Sequence, residues 1–182
     1  NEVEVRVTMP SADHRAFPDF PFGEVPHGKI SWYGRIGGLW QSVSLQARDA
    51  RRLEAVVITA GTDGVVRAEL DFSAPGAGLP VALTVRDADG NAVAEAQVTA
   101  AESVEAELRV ASPKLWGIDQ PNLYTLTVSL GDNVDVVEER FGFRSVETRD
   151  GKILLNGEPI YMRGALDQDY YPDGIYTPPS LE

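Results

Sequence analysis

Apolar and polar residues alternate with a period of two along most of the chain, while helical spacing is nearly absent. Val66, Ala68, Leu70 and Phe72 alternate with Arg67, Glu69 and Asp71, a pattern that sends one set to each face of a strand. Val81, Leu83 and Val85 repeat it, and Asp87-Ala88-Asp89-Gly90-Asn91 follows. Asp-Gly and Gly-Asn pairs tolerate positive φ, so this stretch predicts a hairpin that returns through Val93 to Val98. Another strand is expected from Val104 to Val110. Tyr124, Leu126, Val128 and Leu130 then alternate with Thr125, Thr127 and Ser129, the pattern of a half-buried strand. Gly131-Asp132-Asn133 turns it into a partner running from Val134 to about Phe143. About seven short strands between Leu53 and Phe143 predict an all-β fold, an immunoglobulin-like sandwich of ~100 residues.

The flanks differ. Residues 1–46 open on a strand-like Val3-Val5-Val7 and pass through a Pro/His/Gly-rich stretch. They reach Ile30-Ser31-Trp32-Tyr33 and Leu39-Trp40, and read as the last part of another β-domain. From Asp150-Gly151-Lys152 a tight hairpin is expected, with Ile153-Leu154-Leu155 turned by Asn156-Gly157-Glu158 into Pro159-Ile160-Tyr161-Met162. A polar tail with Asp167, Asp169, Tyr170, Tyr171 and Asp173 follows. This divides the chain into 1–46, 47–145 and 146–182. Both termini read as cut from a longer protein, with Leu181-Glu182 as an added tag.

Composition narrows the function. Of 182 residues, 43% are hydrophobic, enough for a core without metal or disulfide staples. There is no cysteine, so disulfides and thiolate metal sites are excluded. The net charge of -12 would repel a phosphate backbone, which argues against nucleic acid. No apolar run approaches the ~20 residues that span a bilayer, and the N-terminus lacks the pattern of a signal peptide. A soluble bacterial protein is expected, with cytoplasm and secretion both open. His14 and His27 have no second ligand at metal spacing, and neither a Gly-x-Ser-x-Gly motif nor a phosphate loop occurs. Trp116 reads either as a plug at the edge of the core or as a sugar-stacking ring. Trp32, Tyr33 and Trp40 read as core residues or as a sugar platform.

Four stretches taken together resemble glycoside hydrolase family 2. Gly28-Lys29-Ile30-Ser31-Trp32-Tyr33 with Gly38-Leu39-Trp40-Gln41-Ser42-Val43-Ser44-Leu45 is similar to the passage that closes the family's jelly-roll, sugar-binding domain. Pro113-Lys114-Leu115-Trp116 with Asp119-Gln120-Pro121-Asn122-Leu123-Tyr124 resembles a motif late in its immunoglobulin-like domain. Arg140-Phe141-Gly142-Phe143-Arg144 is similar to the link that leaves that domain. Leu154-Leu155-Asn156-Gly157-Glu158-Pro159-Ile160-Tyr161-Met162-Arg163-Gly164 resembles the hairpin and first strand of the catalytic TIM barrel.

The resemblance implies a retaining β-glycosidase as parent, with β-galactosidases, β-glucuronidases and β-mannosidases as relatives. Retention needs two carboxyls ~5–5.5 Å apart. The family's two glutamates lie on later barrel strands, so no catalytic residue is expected in this chain. The resemblance aligns Arg163 with an arginine beside the nucleophile, where a guanidinium would orient a carboxylate. Asp167, Gln168 and Asp169 stand where the family has Arg-Gly-x-Asn-x-His, and could hydrogen-bond sugar hydroxyls at the barrel mouth. The family's Asn and His are absent from Arg163-Gly164-Ala165-Leu166-Asp167-Gln168-Asp169. The expected role is a non-catalytic spacer, with no cofactor or metal and a carbohydrate substrate for the parent. The flanks are expected either to fold onto the sandwich or to pair with a second chain, most simply in a two-fold dimer. A stand-alone carbohydrate- or protein-binding sandwich remains the alternative.

Overall fold

The computed structural model describes residues 3–8, 13, 15–19, 38–39, 41–166 and 171. The chain falls into two compact units, Ala47–Gly164 and Asn1–Gln46 with Ala165–Glu182. In the second of these, the amides of Ala16 and Phe17 donate to the Asp13 carbonyl at 3.1 and 3.0 Å, closing one turn. The strand expected at Val3-Val5-Val7 is not formed, because alternation alone makes no strand without a neighbour to pair with. All three valines are exposed.

Ala47–Gly164 contains ten strands. Seven form the sandwich: β1 (Leu53–Ala60), β2 (Val65–Phe72), β3 (Pro80–Arg86), β4 (Ala92–Thr99), β5 (Ser103–Arg109), β6 (Tyr124–Leu130) and β7 (Asp135–Phe141). One sheet has the order β1-β2-β5 and the other β4-β3-β6-β7, antiparallel throughout. A constant-type immunoglobulin domain places its fourth strand beside the fifth, whereas here β4 pairs with β3 in the larger sheet. The only helical turn in this unit is Ala74–Gly76. β8 (Val146–Arg149), β9 (Lys152–Leu155) and β10 (Glu158–Ile160) form a small separate sheet. The hairpin strand expected to reach Met162 ends at Ile160, and Tyr161 is 85% exposed.

Register sorts the alternating residues. Val66, Ala68 and Leu70 of β2, Val81, Leu83 and Val85 of β3, and Tyr124, Leu126, Val128 and Leu130 of β6 join one buried cluster. Burying each large aliphatic side chain contributes roughly 1.5–3 kcal/mol, and among the described residues no buried side-chain polar atom lacks a partner. The turn between β3 and β4 is held by Asp87, whose carboxylate accepts from the amides of Asp89 at 3.0 Å and Asn91 at 2.9 Å. Hydrogen bonds from the Asn91 side chain and backbone keep its pKa below the usual carboxylate value. Gly64 answers a steric limit at the start of β2. It has φ of +83°, and a Cβ there would lie 2.2 Å from the Val110 carbonyl oxygen.

A polar strap ties the edge strands of the two sheets. Asp135 at the start of β7 accepts from the Leu53 amide at 2.9 Å. The Arg48 guanidinium pairs with both Asp135 oxygens and donates to the Leu53 carbonyl at 2.8 Å. Both backbone groups of the first β1 residue are thus satisfied by one ion pair. Burial alone would raise the Asp135 pKa, but the hydrogen bonds from Arg48 and Leu53 outweigh it and leave the group lowered.

A depressed carboxylate stabilises the fold above its unfolded pKa of about 3.9, and that contribution is lost as pH falls through the folded value. Asp135→Asn should therefore cost about 2 kcal/mol at pH 7. The gap from wild type should narrow below about pH 4. Urea melts at pH 7, 5, 4 and 3 check this, and a gap independent of pH would refute it.

Candidate functional site

The sequence places its most distinctive residues in three separated stretches, and the fold gathers them at one end of the sandwich. Tyr124, the first residue of β6, turns its ring inward against Phe141 and Phe143. The centroids lie 6.0 and 4.9 Å away, and the Phe143 contact is edge-on at 83°. Phe141 and Phe143 meet at 5.3 Å and 71°. Such pairs add ~0.5–1.5 kcal/mol each beyond area burial. The Tyr124 hydroxyl accepts from the Lys114 amide at 2.9 Å. Its ring end is therefore apolar and its polar end pins the loop ten residues upstream.

That loop carries Trp116. The Trp116 amide donates to the Phe143 carbonyl at 2.9 Å, and Leu115 bridges Phe143 in parallel. The Asn122 side-chain amide donates to the Leu115 carbonyl at 2.9 Å and closes the loop from inside. The indole sits half-buried against Gly142, where a Cβ would lie 2.9 Å from the Trp116 Cβ. The Arg144 guanidinium covers the ring at 5.0 Å from its centroid, within cation–π range. This is the geometry of a plug at the edge of the core.

The third stretch closes the junction. Asn156 has φ of 53° in the turn between β9 and β10. Its amide donates to the Ser145 carbonyl at 2.9 Å, and its side-chain oxygen accepts from the Ser145 amide at 3.0 Å. Its side-chain Nδ2 donates to the Trp116 carbonyl at 2.9 Å. The motifs at 115–124, 141–144 and 154–157 thus interlock through main-chain groups.

A hollow of about 480 Å3 lies beside the plug, lined in part by Ile58, Thr59, Trp116, Leu123, Arg140 and Arg144. None of the described residues that line it is a carboxylate. Among the described residues, no three His, Cys, Asp or Glu side chains gather in a metal-binding group. Arg163 lies beyond β10, exposed, with no hydrogen-bond or ion-pair partner among the described residues. Asp167, Gln168, Asp169, Trp32, Tyr33, Trp40, His14 and His27 lie outside the described residues. Sequence reasoning missed the part played by Asn156. The signal available was an Asn-Gly turn inside one of the four motif stretches.

Residues 52–144 match the family model described as Glycosyl hydrolases family 2. The chain belongs to this family. It is 31% identical over 168 residues to a β-galactosidase of Aeromonas hydrophila, with 81% of this chain and 16% of the relative covered. A β-galactosidase of Lactobacillus delbrueckii subsp. bulgaricus is 36% identical over 153 residues, covering 76% of this chain and 15% of the relative. Among solved structures, the β-glucuronidase of Faecalibacterium prausnitzii superposes with a TM-score of 0.55 at 37% identity, covering 63% of this chain and 18% of that one. The chain therefore spans about a sixth of the length of these family 2 relatives.

The contact between Gly142 and Trp116 generates a test. Gly142→Ala should push the indole off its seat and cost about 1–3 kcal/mol. A red shift in tryptophan emission should accompany the loss. Unchanged stability and emission would show that the seat is loose.

Proposed function

We propose that this sandwich is a non-catalytic spacer in a longer retaining β-glycosidase, between a sugar-binding domain before it and a catalytic barrel after it. The observation that carries the reading is the junction. The strand leaving the sandwich is locked by Trp116 and Asn156 to a hairpin whose sequence resembles the start of the family's barrel. A spacer that only tethered two domains would need no such lock. The relatives named β-galactosidase and β-glucuronidase point to a β-linked hexoside or hexuronide as the parent's substrate. Arg163, Asp167, Gln168 and Asp169 are the residues of this chain that would reach its pocket, with Arg163 orienting the nucleophile's carboxylate. Trp32 and Tyr33 would face sugar in the preceding domain.

This chain alone should not hydrolyse nitrophenyl β-galactoside, β-glucuronide or β-mannoside, whereas a longer product of the same gene should cleave at least one of them. Turnover that stays with the purified 182-residue chain through two orthogonal columns would overturn the reading.

Exposed apolar groups also bear on assembly. Val146 is 63% and Met162 66% exposed in and just beyond the small sheet, and apolar groups left in water favour association. A two-fold dimer through the flanking segments is proposed for the chain on its own. Light scattering over a dilution series should give twice the monomer mass at the higher concentrations. A single monomer mass throughout would dismiss the dimer.

A further inference from the structure

The small sheet β8–β10 shares no strand ladder with either sheet of the sandwich. The covalent link is short: Phe143 is buried in the core and β8 begins at Val146. Leu154 is the one buried side chain of these three strands, and it is not part of the sandwich core cluster. No side chain of the small sheet belongs to the sandwich core cluster. Across the boundary Asn156 supplies one hydrogen bond, from its side-chain amide to the Trp116 carbonyl forty residues away, while its two bonds with Ser145 extend the β8–β9 ladder by one pair.

The chemistry of the turn makes this choice of residue informative. Asn156 and Gly157 both have positive φ, at 53° and 83°, as a two-residue type I′ hairpin requires. Asn, Asp and Gly all serve that turn, so the turn alone does not require asparagine. Its two side-chain bonds do. One side chain must accept from the Ser145 amide and donate to the Trp116 carbonyl. Aspartate can only accept, and glycine can do neither.

We propose that the Asn156 carboxamide is a latch that fixes the orientation of the β8–β10 sheet on the sandwich, and so acts as a positioning residue for whatever domain continues from Ile160. The latch stands on the geometry of this chain. Its consequence for catalysis rests on the glycosidase reading above.

Asn156→Gly and Asn156→Asp both keep the turn and separate its two roles. In the full chain, hydrogen exchange at β9 and β10 amides should rise about tenfold in Asn156→Gly, the size expected for lost charge-neutral hydrogen bonds. The rise should be smaller in Asn156→Asp, which keeps the Ser145 bond. Amides of β2, β3 and β6 should stay as protected as in wild type. The chain has no cysteine, so spin labels at Glu105→Cys and Arg149→Cys would report one distance between sandwich and small sheet. That distance distribution should be narrow in wild type and broad in Asn156→Gly.

Unchanged exchange and an unchanged distance in Asn156→Gly would overturn the latch. So would a loss of protection spread evenly over the sandwich, which would make Asn156 a general stability residue. In a longer gene product with glycosidase activity, Asn156→Gly should lower kcat with KM little changed. A longer product without activity would defeat the glycosidase reading while leaving the exchange result to stand on its own.

Discussion

Apolar side chains hold the two sheets of the sandwich face to face. With no cysteine in the chain, the inward residues of β2, β3 and β6 must exclude water by shape. Val66, Ala68, Leu70 and Leu126 are each 0% exposed in that layer. A slip of one residue in any ladder would turn these groups outward and their charged neighbours inward. Register is therefore dictated by burial, and the polar devices at the margins act on a frame already set. The strap at Leu53 and the junction at Trp116 each satisfy main-chain groups that strand pairing leaves over.

How much of this was legible in the sequence depends on distance along the chain. Alternation placed β2, β3 and β6, because each strand carries its own inward and outward set. The Asp87–Asn91 turn was readable for the same reason, since its hydrogen bonds close within five residues. β8 was missed, because Val146–Arg149 holds a single apolar residue and is a strand only through its pairing with β9. The opposite error occurred at Val3-Val5-Val7, where the pattern is present and no partner is found among the described residues. The sequence also gave no hint that Arg48 and Asp135 would meet, 87 residues apart.

The junction was legible as motifs and not as mechanism. Resemblance to family 2 singled out Leu115-Trp116, Phe141-Gly142-Phe143-Arg144 and Asn156-Gly157, and the structure supplies a physical reason for each. Gly142 leaves room for an indole, Phe143 offers its carbonyl to Trp116, and Asn156 reaches both the loop and the link. Arg163 draws no such support from its surroundings. It is exposed beyond the last strand.

The strap has a geometric consequence. Because Asp135 holds Leu53, the first residues of β1 and β7 lie side by side. Farther along, Ile58 to Ala60 and Arg140 to Gly142 line one hollow, so the two edge strands run in the same direction. The polypeptide thus enters the sandwich beside Asp135 and leaves it beyond Phe141, at the far end of a seven-residue strand. At about 3.4 Å per residue, entrance and exit are held roughly 20 Å apart. The sandwich is in this sense a ruler of its own entrance and exit, with its ion pair at the zero and its tryptophan at the other end.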